Sequence, residues 1–318
     1  MNGPTSVVVD VVSTRLRYAR GTKRGFVNVR SERTRADALA EQVVDAVATV
    51  RDESSEPIEV VSVATTGLVD AERGVVAEFD AADGTKRYDV PLAAAIDEAF
   101  GLPTLVQNDC TAAALGEYQF GAGENHNSLA HVTFGTGIGA GVVEDGRPLR
   151  GERGYAAEVG LFSIDADGDL WSTGVRGAWE AYCSGRGIPN FARSIVAEDD
   201  RPSSLREHDE IRAPDVFAAA DDGDAVACDL LDRIARYNAA GIGTLVNAYD
   251  PGVVTVGGSV ARNNAEWFLS GVRASLDDYV LAADPPAVTL TSLGEDIELY
   301  GALAATLSVD VNARKSGD

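Results

Sequence analysis

Lysine is almost missing: Lys23, Lys86 and Lys315 are the only ones among 318 residues, and every other strong base is arginine. Base of any kind is scarce, with 27 Lys and Arg against 50 Asp and Glu and a formal charge of -23. Such a surface repels phosphodiester backbones and anionic headgroups, which argues against partners that are nucleic acid or membrane. Dense carboxylate with little lysine suits a salt-rich cytoplasm such as a halophile's, where screening relaxes mutual repulsion; an ordinary acidic cytosolic protein is the alternative. Cysteine is also sparse. Cys110, Cys183 and Cys228 stand alone, which excludes a disulfide framework and the clustered spacing of a zinc set. No apolar run approaches the about 20 residues that span a bilayer. The opening MNGPTSVVVDVV lacks a basic region followed by a long apolar stretch, so no signal peptide is expected and the expected compartment is the cytoplasm.

What remains is a pattern stated twice. Residues 6–12, 16–20 and 25–30 read as three short strands with tight junctions, an antiparallel meander. Apolar positions Leu39, Val43, Val47 and Val50 recur at helical spacing, then strands are expected at 58–65 and 104–107 with helices at 91–100 and 111–118. A second meander begins at 129–134 and 139–144, with a third short strand after Asp145-Gly146. Helices follow at about 177–185, 214–220 and 224–248, then a strand at 253–256, a helix at 264–279, a strand at 287–290 and a helix at 299–308. The acidic 196–212 segment reads as an exposed loop and 315–318 as a frayed tail. Leu230, Leu231, Ile234 and Trp267 read as core, and His131 as a packed imidazole. Two such units imply an α/β protein of two domains with a cleft: 1–118 with the helix 299–318 packing on it, and 119–298.

Two segments could do chemistry. Gly135-Thr136-Gly137-Ile138-Gly139-Ala140-Gly141 follows a strand directly, and positions without Cβ let backbone N–H groups approach an anion. A plain glycine-rich hairpin is the competing reading, while a dinucleotide turn is disfavoured because no helix follows. Val106-Gln107-Asn108-Asp109 ends a strand where a helix begins. Asp109 is there either the N-cap or a general base for a hydroxyl, with Asn108 orienting.

The segment Asn108-Asp109-x-x-Ala-Ala-Ala-x-Gly-Glu, followed by Gly135-Thr136-Gly137-Ile138-Gly139, resembles the ROK family of sugar kinases and sugar-responsive repressors. The resemblance runs nearly end to end. It takes in Asp10 and Thr14 of the first phosphate hairpin, Thr66-Gly67-Leu68-Val69-Asp70, Asp250-Pro251 with Gly257-Gly258, and Leu293-Gly294 through Gly301-Ala302. It implies the actin-like, hexokinase-like (ribonuclease H-like) two-domain fold, ATP and Mg²⁺ as cofactors, small-molecule sugar and nucleotide as partners, and a homodimer. By position it implies Asp109 as catalytic base and Asn108, Glu158 and Glu180 as sugar ligands. Gly135, Thr136 and Gly137 would face the phosphates together with Thr14, Gly257 and Gly258 the adenosine, and Asp10 the nucleotide's Mg²⁺. No helix-turn-helix precedes Ser6, so the repressor branch is not expected.

The chain also departs from that pattern. Leu161, Trp171, Thr173 and Ala178 fall where many members hold a structural zinc with one His and three Cys, so no zinc is expected; Leu161, Phe162 and Trp171 are expected to pack the loop instead. The family's DxGGT hairpin is Asp10-Val11-Val12-Ser13-Thr14, with both glycines replaced. The sugar-side loop reads Phe79-Asp80-Ala81-Ala82-Asp83-Gly84, and either Asp80 or Asp83 could face a ligand. Two functions follow: an ATP-dependent kinase acting on the primary hydroxyl of glucose or a related hexose, or a catalytically impaired sugar- or nucleotide-binding sensor or partner protein.

Overall fold

The computed structural model describes residues 4–281 and 284–307, so the expectations for 308–318 lie outside the described residues. The chain separates into two compact units. The first holds the chain up to Asn127, then Val143–Ala156 and the segment from Ser292 onward; the second holds Ser128–Val142 and Ala157–Thr291.

The first unit is built on a strand that is buried along its whole length, Ser6–Val11, whose run of valines has no polar face to offer water. It lies between an antiparallel neighbour, Arg15–Thr22, and a parallel one, Val60–Thr65. The sheet order is Gly25–Arg33, Arg15–Thr22, Ser6–Val11, Val60–Thr65, Thr104–Asn108. The helix Leu39–Glu53 buries Leu39, Val43, Val47 and Val50, as the apolar spacing predicts. A small antiparallel sheet of Leu68–Asp70, Val75–Asp80 and Lys86–Val90 is an addition that the sequence pattern does not announce.

The second unit repeats the plan. Its sheet is ordered Ile138–Glu144, Ser128–Phe134, Val253–Gly257, Ala287–Leu290, with the last three strands parallel. The long helix Ala225–Tyr249 buries Leu230, Leu231 and Ile234. Trp179 is fully buried, its indole N–H donating to Asn238 Oδ1 at 2.9 Å and its ring edge-on to Phe134. Trp267 is only partly buried, edge-on to Phe217. The expected loop at 196–212 is partly helical: Gly187–Glu198 is an α-helix and Ser204–Glu207 a 3₁₀ turn. Pro189 does not prevent the first of these because it lies in the first turn, where its missing N–H has no partner to lose.

In the first unit, the helices Asp109–Phe120 and Ile297–Leu307 meet at backbone distance. A Cβ at Gly301 would overlap the carbonyl oxygen of Ala112, and one at Gly116 would lie 2.8 Å from that of Ile297. Gly301→Ala is therefore expected to force these helices apart and to cost about 1–3 kcal/mol, read as a lower urea midpoint; an unchanged midpoint would refute the close packing.

Candidate active site

In the first unit, three parallel strands end together. Their register pairs Asp10 with Ala64 and Ala64 with Gln107, then Val11 with Thr65 and Thr65 with Asn108. Asp10, the Thr66-Gly67 turn and Asn108-Asp109 thus share the carboxyl edge of the sheet, where open α/β sheets bind ligands. The turn is tied in on both sides: Thr66 N–H donates to Val11 O at 3.0 Å, and Asn108 Nδ2 to Gly67 O at 3.1 Å.

The N-cap of Asp109–Phe120 is Asn108, not Asp109. Its Oδ1 accepts from the amides of Cys110 at 2.9 Å and Thr111 at 3.3 Å. That frees Asp109 from the capping role, although its carboxylate also accepts from Cys110 N–H at 2.9 Å. Burial pushes the Asp109 carboxyl up to about 6, against that hydrogen bond and with help from the negative charge of Asp10. A carboxyl titrating there is matched to proton transfer near neutral pH.

Asp10 is almost fully buried and pairs with Arg17, which lies opposite it in the hairpin register. Arg17 Nε donates to Asp10 Oδ2 at 2.8 Å and Nη2 lies 2.7 Å from the same oxygen. The guanidinium also reaches Asp296 at 2.9 Å and Glu298 at 3.5 Å. Burial raises the Asp10 carboxyl above the ordinary range, and Arg17 opposes the rise. Burial, then the charge of Asp10, pushes Glu298 up to about 8. Asp10 Oδ1 is buried and accepts no hydrogen bond, leaving one carboxylate oxygen for a cation or its water. Thr14 lies exposed at the end of the hairpin, its carbonyl accepting from Thr34 N–H at 3.2 Å.

Asp83 is committed locally, accepting from Thr85 N–H at 2.9 Å and from its hydroxyl at 2.5 Å. Asp80 is exposed and 3.8 Å from Lys86.

In the second unit, the turn Gly135–Gly137 closes on itself through Gly135 N–H to Gly137 O at 3.0 Å. A second segment lies on it: Gly185 N–H donates to Gly135 O at 2.8 Å and Arg186 N–H to Thr136 O at 3.2 Å. Gly258 has φ of 81°, and a Cβ there would strike the Phe134 backbone just before the turn. This close approach brings Gly257-Gly258 against the glycine turn. Beneath them His131 is buried, with Nδ1 2.9 Å from Thr255 Oγ1; desolvation lowers it to about 3, so it is a neutral packing group. Beside Gly258 lies a cavity of about 790 Å³ lined by Gly185, Arg186, Arg212, Phe217, Ser259 and Asn263, within the size range of small-molecule pockets.

Glu180 joins two loops of this unit. Its Oε2 accepts from Ile138 N–H at 3.1 Å, and its Oε1 from Ser172 Oγ at 2.5 Å and Thr173 Oγ1 at 3.5 Å. Glu158 is exposed next to the short turn Val159–Leu161; partial desolvation, then the charge of Glu180, raises its carboxyl above the ordinary range. Neither thiolate nor imidazole occurs at Leu161, Trp171, Thr173 and Ala178. Leu161 and Phe162 pack against the core as expected, but Trp171 does not: it is 61% exposed. The polar contacts of Glu180, rather than that indole, hold the hairpin of Trp171–Ser172 and Val175–Arg176.

Sequence reasoning gathers Asp10, Asn108 and Asp109 in one unit and Gly135–Gly137, Glu158, Glu180, Gly257 and Gly258 in the other. It misses Arg17, Glu298, Ser172 and Arg186. Arg17 was detectable, because a tight turn at Val12–Thr14 puts residues 10 and 17 opposite one another. Glu298 carries no local signal, since only tertiary packing brings it to Arg17.

A model of the ROK family matches residues 7–308. The chain is 30% identical over 308 residues to a glucokinase of Streptomyces coelicolor, covering 93% of this chain and 96% of that one. It is 34% identical over 310 residues to a glucokinase of Aeropyrum pernix, covering 94% and 95%. A xylose repressor of Caldicellulosiruptor bescii is 31% identical over 252 residues, 78% of this chain and 62% of the repressor. Among solved structures, the ROK hexokinase of Thermus thermophilus matches with a TM-score of 0.83 and 29% identity over 97% of this chain and 99% of that one. The Streptomyces griseus ROK glucokinase in complex with glucose and AMPPNP matches with 0.74 and 28% over 95% and 98%. The fold is the actin-like, mixed α/β two-domain fold of these kinases. No described helix is long and apolar enough to cross a membrane.

The Glu298 proton gives a stability test. The folded state holds it up to about pH 8, whereas an unfolded glutamate releases it near 4.5. A folded pKa raised in this way gives stability that is complete below about pH 4.5 and is lost as pH rises to about 8. Glu298→Gln, which cannot ionise, is expected to flatten that decline in denaturant midpoints between pH 5 and 8; an equally steep decline would contradict the assignment.

Proposed function

The chain belongs to the ROK family, and on that premise we propose that it is an ATP-dependent sugar kinase acting on the primary hydroxyl of glucose or a related hexose. The observation that carries this reading is Asp109, a carboxyl at the carboxyl edge of the first sheet with its pKa raised to about 6. A protein that only binds sugar has no use for a base tuned to neutrality.

In the proposed reaction Asp109 takes the proton of the hydroxyl, whose oxygen attacks the γ-phosphorus of ATP. The bond from that phosphorus to the bridging oxygen breaks, and ADP leaves with the electron pair. Asn108 keeps one amide N–H for a sugar hydroxyl after its bond to Gly67. Glu158 and Glu180 supply acceptors for others. Thr14 and the Gly135-Thr136-Gly137 turn receive phosphate, and the cavity beside Gly257-Gly258 takes the adenosine. The free Oδ1 of Asp10 fits a nucleotide-borne Mg²⁺, directly or through water. When bound, that ion offsets the charge on the transferring group.

A second reading keeps binding and loses turnover. Val12 and Ser13 in place of glycine favour it, as does the burial of Asp10 against Arg17. The acidic, lysine-poor composition points to a salt-rich cytoplasm, so molar KCl is the proper assay medium. We place the chain in the cytoplasm as a homodimer, without nucleic-acid partners.

A coupled ATP-consumption assay over hexoses, amino sugars and 2-keto sugar acids in molar KCl is expected to show turnover with at least one sugar. Asp109→Asn should lower kcat by about 10²–10⁴-fold while calorimetry shows sugar binding largely kept. Because the base acts only when ionised, kcat/KM of the parent should fall about tenfold per pH unit below about pH 6. Sugar binding without turnover on any sugar would establish the second reading. Metal analysis of the purified protein is expected to find no stoichiometric zinc, since the four positions carry no ligand; one zinc per chain would overturn that.

A further inference from the structure

Arg186 has no assigned task, and its surroundings are specific. Its amide is bound to Thr136 O at 3.2 Å, so its backbone is fixed on the glycine turn. Its Nη2 lies 4.0 Å from where a Cβ on Gly137 would stand, so the guanidinium reaches over that turn. The residue is exposed and lines the cavity beside Gly258. It makes no ion pair or side-chain hydrogen bond among the described residues, although the chain holds nearly two acids for each strong base. The nearest carboxylate at the turn, Glu180, lies 2.8 Å from the same Cβ position but is already engaged by Ile138, Ser172 and Thr173. A guanidinium left uncommitted over a bare-backbone turn, at the mouth of a pocket, is placed to meet an anion that arrives from outside.

We propose that Arg186 is a catalytic residue that donates to the polyphosphate chain of the nucleotide bound at the Gly135–Gly137 turn. This rests on the kinase reading above and adds to it the group that carries the charge. As the oxygen–phosphorus bond to the sugar forms and the bond to the bridging oxygen breaks, negative charge accumulates on the departing diphosphate. Arg186 meets that charge with its guanidinium N–H donors and takes no proton.

The test compares the full-length protein with Arg186→Ala and Arg186→Lys in molar KCl. Substitution leaves the backbone bonds at Thr136 and Gly135 in place, so both variants should keep the parent's thermal midpoint. Arg186→Ala is expected to lose on the order of 10²-fold in kcat, with sugar affinity by calorimetry unchanged and AMPPNP–Mg²⁺ affinity weakened about tenfold. Arg186→Lys, a point charge without the planar fork, should recover part of both losses. If the parent turns over and Arg186→Ala matches it in kcat and in KM for ATP, the assignment falls and the kinase reading stands. If the parent turns over no sugar, the kinase reading falls. AMPPNP–Mg²⁺ titrations then decide the anion site alone, and equal affinity in parent and Arg186→Ala overturns it. A loss of sugar and nucleotide affinity together, with a lowered midpoint in both variants, would mark Arg186 as structural and also overturn it.

Discussion

The buried pairing of Asp10 with Arg17 is the constraint on which the first unit's chemistry depends. A guanidinium inside a protein is costly unless its donors are used, and here they are shared among Asp10, Asp296 and Glu298. One arginine facing three carboxyls cannot neutralise them all. Burial settles the imbalance by holding the Glu298 proton to about pH 8. The charge that stays on Asp10 then acts on Asp109, adding to the desolvation that raises it to about 6. The cluster thus links the meander hairpin, the segment around Asp296 and the final helix to the tuning of one carboxylate. Removing Arg17 would leave Asp10 buried without a partner, a change in both fold and field.

Much of this was legible in the sequence, and the illegible parts share a cause. The valines of Ser6–Val11 read as a strand, though not as the buried inner one it is, and Leu39, Val43, Val47 and Val50 read as one helix face. The glycine turn after Phe134 and the strand-to-helix junction at Asn108 could be placed from their neighbours alone. The sheet of Leu68–Asp70, Val75–Asp80 and Lys86–Val90 could not, because its last strand is mostly exposed and gains its conformation from pairing rather than propensity. The helix Gly187–Glu198 was hidden by glycine, proline and asparagine at its start, although Ile188, Phe191 and Ala192 give it a buried face. For the site, residue types were readable and their commitments were not. Asn108 caps its helix and Asp83 closes its own turn through bonds two or three residues away, a choice among local partners that residue type leaves open, while Trp171 stands in solvent.

The second unit answers a different problem, that of holding a loop whose sequence has Leu161, Trp171, Thr173 and Ala178 at the family's zinc positions. Where the family pattern supplies ligands for zinc, this chain supplies Leu161 and Phe162 to the core and the hydroxyls of Ser172 and Thr173 to Glu180. A carboxylate that accepts from two hydroxyls and a backbone amide is a fixed point, since each bond to a charged acceptor outweighs a neutral one. It is also a fixed point for function, because Ile138 N–H, the third donor, belongs to the residue that follows Gly137. In the proposed reading Glu180 therefore does two things: it holds the hairpin on the phosphate turn, and it keeps lone pairs for a sugar hydroxyl.

The two departures at the phosphate side and the zinc side then have one logic. Close backbone approach fixes geometry through main-chain amides and zinc through thiolate and imidazole ligands, and in this chain hydroxyl, carboxyl and guanidinium side chains make the contacts seen there. Arg17 is bound to Asp10 beside the hairpin that carries Val12 and Ser13, and Glu180 is bound to Ser172 and Thr173 on the loop that lacks the family's zinc ligands. Arginine serves this better than lysine, because its planar fork loses less freedom for each bond it makes and stays charged when buried. A chain with three lysines has already made that choice across its surface. Charge-based fixing is weakened by salt only where solvent reaches it. Asp10 and Arg17 are buried, so their pairing is screened less in a concentrated electrolyte, while Arg186 is exposed and in the proposed reading meets an anion there.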